Sequence, residues 1–235
     1  MNSSKRFILG LTGGIGTGKS TASEYISSKG FDHVDADAIS RSLTEDGSPM
    51  LRVLQDTFGP DGEYGCPGKE ILLSGEDEPD QDAAHEENGA EAPDPVLRLD
   101  RRALASIVFS DPEKKKKLDQ IMHGAIRSII EQRIEDAEQP VLLDVPLLFE
   151  SGLEKICDHV ILITADMSTR IERVMARDGA EEEEVLARIR NQMDDTEKAA
   201  LADTVVDNSG DLEHLYRQLD AVIESLPEAA SCHSS

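Results

Sequence analysis

The sequence is poor in aromatic residues and in cysteine. Aromatic side chains make up 3% of the 235 residues and tryptophan is absent, so aliphatic side chains must build the hydrophobic core. The three cysteines, Cys66, Cys157 and Cys232, are far apart and form no C-x-x-C pair. Together with six histidines that show no ligand spacing, this pattern argues against a disulfide framework and against a zinc site.

Long hydrophobic runs are also missing. No apolar stretch approaches the roughly 20 residues that span a bilayer. The short apolar run after Lys5-Arg6 is too short for a signal-peptide core, and no cleavage-like site follows it. These features predict a cytoplasmic protein that does not enter a membrane.

Basic residues are scarce relative to acidic ones. The chain has 24 Lys and Arg against 48 Asp and Glu, a formal net charge of −24 that disfavours nucleic acid and anionic membranes as partners. Residues 74–95 hold nine acidic side chains and no basic one, and subtracting these nine charges still leaves −15. Such a distributed acidic surface is typical of adaptation to high salt, where screening weakens self-repulsion. An ordinary acidic cytoplasmic protein is the alternative.

What the sequence does contain is a glycine-rich turn between an apolar run and a helical pattern. The segment GGIGTGKST, residues 13–21, matches the phosphate-loop pattern G-x-x-x-x-G-K-[ST]. Glycines let consecutive N–H groups turn toward a polyphosphate at the positive end of a helix. We predict that Lys19 reaches the β- and γ-phosphates and that Ser20 binds Mg²⁺. The predicted nucleotide contacts are Gly14, Ile15, Gly16, Thr17, Gly18, Lys19, Ser20 and Thr21.

Strand-like and helix-like patterns alternate along the chain, which predicts an α/β fold with a five-stranded parallel sheet of the P-loop kinase type, flanked by helices. The predicted strands are residues 7–12, 31–35, 141–145, 159–164 and 204–206. The predicted helices are residues 19–29, 48–58, 101–109, 112–137, 168–178, 181–194 and 212–226. Residues 61–95, rich in Gly, Pro, Asp and Glu, predict an exposed and mostly disordered acidic insertion, and residues 227–235 a disordered tail.

Carboxylates follow two of the predicted strands. Strand alternation places Asp35 and Asp37 on the same face, at the strand end where ligands gather in open α/β sheets. We favour Asp37, the outer residue, as the group that orients an attacking hydroxyl; the alternative is that one carboxylate caps the next helix. Asp144 ends another strand, where it either holds Mg²⁺ through water or caps the strand end.

Arginines cluster on one predicted helix. Spacings of three and four residues place Arg170, Arg173 and Arg177 on one face. We expect at least one of them to neutralise charge on a transferring phosphoryl group. The alternative is surface salt bridging to Glu172 and to residues 181–184.

Two other features are expected to be solvated or structural. The run of lysines at residues 114–117 favours a solvated helix face over an anion site. His123 has no nucleophile beside it and is expected to be a packed or surface histidine.

In combination, these motifs resemble the dephospho-CoA kinase family, a group of P-loop kinases of the nucleoside-monophosphate-kinase type. The resemblance covers about residues 7–226, apart from 61–95. It rests on residues 11–21, Asp35-Ala36-Asp37, Arg101-Arg102-x-Leu104 leading to Phe109, Asp144-x-Pro146-Leu147-Leu148-Phe149-Glu150, Arg177-Asp178, Gln192, and Ala202-Asp203 with Asp207-Asn208-x-Gly210.

The resemblance implies an enzyme that uses ATP to phosphorylate the ribose 3′-hydroxyl of dephospho-CoA, the last step of coenzyme A biosynthesis. Asp37 would be the base or the group that orients the hydroxyl, and Arg173 and Arg177 would contact phosphates. Asn208 and Gly210 would lie near the adenine of ATP. Arg102, His123 and Glu150 would face dephospho-CoA together with Asp37.

The same resemblance implies a division of the chain. Residues 5–37, 140–168 and 196–226 would form the core, residues 38–139 a helical substrate region, and residues 169–195 a mobile helical segment that we call the lid segment. Two departures stand out: the acidic insertion replaces a short connection, and Gly124 stands where the family commonly has proline after the histidine. We expect a monomer or a weak homo-oligomer.

Two other functions compete with this one. One is another small-molecule P-loop kinase, of the nucleotide or shikimate type. The other is a non-catalytic nucleotide-binding regulator, for which a guanine-binding N-K-x-D motif would be a typical sign; the sequence has none.

Overall fold

The computed structural model describes residues 6–66, 68–74 and 96–227. The chain divides into two compact units, one formed by residues 1–37 and 129–235, the other by residues 38–128. The described strands are β1 (Ile8–Gly13), β2 (Asp32–Asp35), β3 (Leu72–Ser74), β4 (Leu97–Leu99), β5 (Val141–Asp144), β6 (His159–Thr164) and β7 (Thr204–Asp207). The described helices are α1 (Lys19–Ser28), α2 (Ala36–Ser42), α3 (Pro49–Phe58), α4 (Arg101–Val108), α5 (Pro112–Asp136), α6 (Leu148–Ser151), α7 (Met167–Asp178), α8 (Glu182–Arg190), α9 (Asp195–Leu201) and α10 (Leu212–Ser225), with a 3₁₀ turn at Leu153–Ile156.

A five-stranded parallel sheet forms the first unit. Its strand order is β2-β5-β1-β6-β7, and the α/β prediction with five parallel strands is confirmed. Asp144 of β5 lies in register with Leu11 of β1 and with Asp35 of β2. The carboxyl ends of these three strands therefore meet at one edge of the sheet, where the glycine-rich turn begins.

The sheet is held by aliphatic packing, as the scarcity of aromatic residues predicts. All six residues of β1 are buried. Leu9 and Leu11 join Ile26 of α1 and Leu215 and Leu219 of α10 in one core cluster in which all five are fully buried. Each such side chain contributes roughly 1.5–3 kcal/mol of transfer free energy, so the start of the glycine-rich turn rests on a rigid base.

The predicted helices are all present, but the helix predicted at residues 181–194 ends early, at Arg190. Helix α8 is followed by a turn, and α9 begins at Asp195, where the Asp194 carboxylate accepts the Thr196 N–H as an N-cap. The short helices α2, α6 and α9 were not among the predicted helices, since none has the length that makes periodicity visible. None of the described helices is both long and apolar enough to cross a membrane.

Most of α2, helices α3 and α4, most of α5 and the antiparallel hairpin β3/β4 form the second unit. Leu51, Leu54 and Phe58 pack with Ile71, and all four are fully buried, while Tyr64 packs at the edge of this cluster. The prediction of an exposed insertion is therefore wrong for the described part of residues 61–74, because the few apolar side chains there pack into the core of the second unit. Residues 75–95 and 228–235 lie outside the described residues.

Candidate active site

The glycine-rich turn leaves β1 at Gly13 and enters α1 at Lys19. Thr17 closes it, since its hydroxyl donates to the Gly14 carbonyl at 2.9 Å. Gly16 and Gly18 have φ of 80° and 83°, in the left-handed region that favours glycine. A Cβ on Gly18 would also lie 2.2 Å from the Asn208 amide nitrogen, so both conformation and space require glycine there.

A pocket of about 420 Å³ opens at this turn, within the first unit. It brings together the turn, Asp37 and two arginines, which the sequence places far apart. Its lining residues are Gly13, Gly14, Ile15, Gly16, Gly18, Lys19, Ser20, Thr21, Asp37, Pro146, Arg173, Val174, Arg177 and Gln192. Of the predicted nucleotide contacts in the turn, Thr17 is not in the lining, because it is buried and bonded within the turn.

Lys19 and Asp144 form an ion pair behind the pocket. The Lys19 ammonium donates to Asp144 Oδ1, and Asp144 is 5% exposed. Asp144 Oδ2 lies 3.4 Å from His33 Nε2, which also lies 3.0 Å from the Ser23 hydroxyl. The parallel pairing of β1 and β5 places this carboxylate beside the turn. His33 carries no sequence signal, since only the strand order brings it here.

The structure corrects the local geometry predicted for Asp37. Strand β2 ends at Asp35, so Asp37 lies in the first turn of α2 and strand alternation does not relate the two residues. Asp35 Oδ1 accepts the Asp37 N–H at 2.8 Å, so the capping role belongs to Asp35. Asp37 is exposed and lines the pocket.

The three clustered arginines occupy three different environments. Arg170 is 2% exposed and braces the turn: its Nε donates to the Ile15 carbonyl at 2.8 Å, and its Nη1 pairs with Asp195. Arg173 reaches the Thr17 carbonyl at 3.5 Å and lines the pocket. Arg177 is exposed and also lines the pocket. The helical face is therefore divided between one brace and two pocket residues.

Arg177 is held by a neighbouring acid. Its Nε donates to Asp178 Oδ1 at 2.7 Å, and Arg188 donates to the other oxygen of the same carboxylate at 3.0 Å. The hydrogen bond from Arg177 lowers the pKa of Asp178, and the same bond raises the pKa of Arg177. Arg170 and Arg177 do form salt bridges, but with Asp195 and Asp178 and not with the expected Glu172 or residues 181–184, and Arg170 is buried and not on the surface. A pocket-lining position and a salt bridge coexist at Arg177.

Gln192 is a pocket residue that was not among the predicted site residues. It lies in the turn between α8 and α9, and its Oε1 accepts the Ile15 N–H at 3.0 Å. The resemblance included Gln192 but gave it no role, and a glutamine in a polar turn carries no chemical signal of its own. Its position depends on how α7 and α8 pack.

Asn208 and Gly210, predicted near adenine, do not line the pocket. Asn208 is 4% exposed and its Nδ2 donates to the Thr17 carbonyl at 2.8 Å. Its Oδ1 is buried without a hydrogen-bond partner among the described residues. Gly210 is exposed, beside His214. Asn208 therefore braces the glycine-rich turn from the end of β7.

The three residues predicted to face the second substrate lie in different places. Arg102 and His123 are exposed on α4 and α5 of the second unit. Glu150 belongs to the first unit, where its Oε1 accepts the Met193 N–H at 3.3 Å and lies 3.4 Å from the fully buried Lys198 ammonium. Glu150 thus holds the segment that leads into α9.

Comparison with known proteins identifies the family. A family model described as dephospho-CoA kinase matches residues 7–65 and 76–214. The chain belongs to the dephospho-CoA kinase family. Its activity is therefore the ATP-dependent phosphorylation of dephospho-CoA in coenzyme A biosynthesis, which makes it a transferase. The family match includes residues 61–65 and 76–95, most of the segment that the sequence resemblance had left out.

Relatives of the family cover nearly the whole chain. A dephospho-CoA kinase from Shouchella clausii is 36% identical over 225 residues, which cover 94% of this chain and 99% of the relative. One from Thermus thermophilus is 37% identical, covering 95% of this chain and 93% of the relative.

Two solved structures are similar to this chain in fold. The crystal structure of TT1252 from Thermus thermophilus, at 35% identity, has a TM-score of 0.70 and covers 95% of this chain and 100% of its own. A dephospho-CoA kinase from Campylobacter jejuni, at 25% identity, has a TM-score of 0.55 and covers 94% of this chain and 97% of its own.

Proposed function

We propose that the pocket at the glycine-rich turn binds the polyphosphate of ATP, and that Asp37 orients the ribose 3′-hydroxyl of dephospho-CoA for attack on the γ-phosphate. One observation carries this proposal: Asp37, Lys19 and the arginines Arg173 and Arg177 line a single pocket with the turn. Phosphoryl transfer depends mainly on positioning and on neutralising spread negative charge, and these groups supply both.

The donor side of the pocket is built from N–H groups and cations. Backbone N–H groups of the turn and the start of α1 face phosphate oxygens, and Lys19 adds a positive charge at the β- and γ-phosphates. The Lys19 ammonium is paired with the Asp144 carboxylate at the end of β5. Arg173 and Arg177 add further charge from α7.

The residues present fit a magnesium ion that arrives with ATP. Among the described residues, no group of three or more acidic, histidine or cysteine side chains could hold a metal by itself. Ser20 lines the pocket with a hydroxyl, and Asp144 supplies a carboxylate behind it; both are the hard oxygen donors that Mg²⁺ prefers, with substrate phosphates completing the shell. Ser20 would hold the ion directly and Asp144 through water. The ion would neutralise charge on the phosphates.

Asp37 acts on the acceptor. Its carboxylate accepts the hydrogen of the 3′-hydroxyl, whose oxygen forms the new bond to the γ-phosphorus as the bond to the β-phosphate bridging oxygen breaks. ADP leaves, and the proton passes to Asp37. The exposed carboxylate in the pocket supports this role, because a base must reach the proton that it takes.

The lid segment would close over the pocket. Helices α7 and α8 belong to it and carry Arg173 and Arg177, so its closure would bring these charges to the phosphates and exclude water that hydrolyses ATP. We further propose that Arg102, His123 and Glu150 contact dephospho-CoA. We propose that Asn208 and Gly210 lie near the adenine of ATP. We also place the enzyme in the cytoplasm as a monomer or a weak homo-oligomer.

The deciding experiment measures ATP consumption with and without dephospho-CoA, at low and at molar KCl, with Mg²⁺ present. We expect dephospho-CoA to accelerate consumption, chromatography to show coenzyme A, and ³¹P NMR to place the new phosphate on the 3′-oxygen. Shikimate and nucleoside monophosphates serve as control acceptors. Transfer to a control acceptor instead, or nucleotide binding without turnover at any salt concentration, would overturn the proposal.

A further inference from the structure

The turn after α8 makes a direct contact with the phosphate-binding backbone. Gln192 Oε1 accepts the Ile15 N–H at 3.0 Å, and both residues line the pocket. The Gln192 side chain is half-buried. An N–H of the glycine-rich turn is thus taken by a protein oxygen and not left for phosphate.

This contact determines how the Gln192 amide is oriented. A backbone N–H can only donate, so the amide oxygen must face Ile15 and the amide nitrogen must face elsewhere. Among the described residues, the Gln192 side chain makes one hydrogen bond, in which its oxygen accepts the Ile15 N–H. The two N–H donors of Nε2 are therefore available, on a planar group that is anchored to the turn itself.

The surroundings indicate what such a donor would meet. Lys19, Arg173 and Arg177 line the same pocket, which marks it as a place for concentrated negative charge. Asp37 lines it too, so the phosphoryl group in transfer must pass between the turn and this carboxylate. A neutral amide adds directional donors there without a further charge, and donors fixed before the reaction stabilise charge that develops in the transition state.

We propose that Gln192 is a further catalytic residue: with its oxygen held by the Ile15 N–H, it donates from Nε2 to an equatorial oxygen of the phosphoryl group in transfer. This inference rests on the proposed function of the pocket, and it adds to that function a residue that was given no role there. It also gives the Ile15 N–H a role as the anchor for Gln192.

The test compares Gln192→Ala, Gln192→Glu and the control Asn191→Asp. Gln192→Glu keeps an acceptor for the Ile15 N–H but lacks the Nε2 donors, whereas Gln192→Ala removes both. Asn191→Asp introduces the same charge one residue away, at an exposed position outside the pocket lining. Each purified full chain is assayed for coenzyme A formation, and calorimetry measures binding of the β,γ-imido analogue of ATP and of ADP with aluminium fluoride, a mimic of the transition state.

We expect both Gln192 variants to lower kcat about 100-fold, as loss of a preorganised donor does, while the KM for dephospho-CoA changes less than about twofold. Binding of the aluminium fluoride complex should weaken at least about tenfold more than binding of the imido analogue. Asn191→Asp should keep wild-type kcat. The difference between the two binding measurements distinguishes a contact to the transition state from a purely structural role. Loss of a purely structural role would weaken the binding of both ligands equally.

Two outcomes would overturn the inference while the proposed function stands. If wild-type enzyme is active and Gln192→Ala keeps its kcat while binding the imido analogue more tightly, Gln192 only fills the place of a phosphate oxygen. If both ligands weaken equally, the residue supports the fold of the turn. Inactive wild-type enzyme would instead refute the proposed function, and the inference with it.

Discussion

The proposed role of Asp37 can be tested directly by substitution. We expect Asp37→Asn to lower kcat by about 10²- to 10⁴-fold, because the amide cannot take the proton from the hydroxyl. Because Asp37 faces the acceptor, the Kd for ATP should change less than about threefold. Steady-state kinetics and ATP titration measure the two effects. The control Asp56→Asn makes the same change at an exposed position on α3 and should be silent. Near-normal turnover of Asp37→Asn would remove this residue from the mechanism.

Lys19 has a structural and a catalytic role that can be separated. Lys19→Ala should abolish transfer and also lower thermal stability, since it leaves the Asp144 carboxylate buried without its ammonium; an unpaired buried group of this kind costs about 1–3 kcal/mol or more. Adding Asp144→Asn removes the stranded charge and should recover part of the lost Tm but no activity.

Thermal unfolding and the coenzyme A assay measure these two effects independently. Activity in Lys19→Ala would contradict the assignment of the glycine-rich turn. An unchanged Tm would show that water or His33 compensates the Asp144 carboxylate.

Among elements, α7 does more than carry charge to the pocket. Arg170 joins the helix to the Ile15 carbonyl and to Asp195 at the start of α9, so three segments share one guanidinium. A lysine at this position could not make both contacts, because a single ammonium lacks the fixed, planar donors of a guanidinium. The position of the glycine-rich turn therefore depends on an element more than 150 residues away along the chain.

We expect Arg170→Lys to raise the KM for ATP about tenfold, in line with the loss of a charge-assisted bond of about 1.5–3 kcal/mol. The thermal midpoint should fall as well. Arg188→Lys is the matched control, since it alters an exposed bond to Asp178 in the same segment and should change the KM by less than about twofold. Equal effects of the two substitutions would show that Arg170 is no brace.

Element prediction succeeded where patterns were long. The five core strands and the long helices follow from apolar runs and periodicity, which depend on local residues. The early end of α8 at Arg190 was missed, because no glycine or proline follows it to mark the end of the helix. The burial of Ile71 was missed for another reason: the short apolar run at residues 71–73 lies beside an acidic, polar stretch, and the partners of Ile71 lie in other elements.

At the scale of the whole molecule, the most prominent property is the net charge of −24. Self-repulsion among distributed carboxylates should destabilise the fold at low ionic strength, and added salt should screen it. We expect the free energy of unfolding to rise as KCl increases from low to molar concentration, measured by urea unfolding at each salt concentration. A stability that stays flat over this range would contradict adaptation to high salt.

The sequence by itself determined the nucleotide-binding turn, the parallel sheet and the family, because these rest on local spacing and on motifs of fixed spelling. Asp37, Lys19, Arg173 and Arg177 were all predicted as site residues on that basis. Only the tertiary structure decided what each group does within the site: it made Asp35 the cap, Arg170 and Asn208 braces of the turn, and Gln192 a pocket residue. The physical reason is that a hydrogen bond between distant segments depends on strand order and helix packing, which no local spacing encodes.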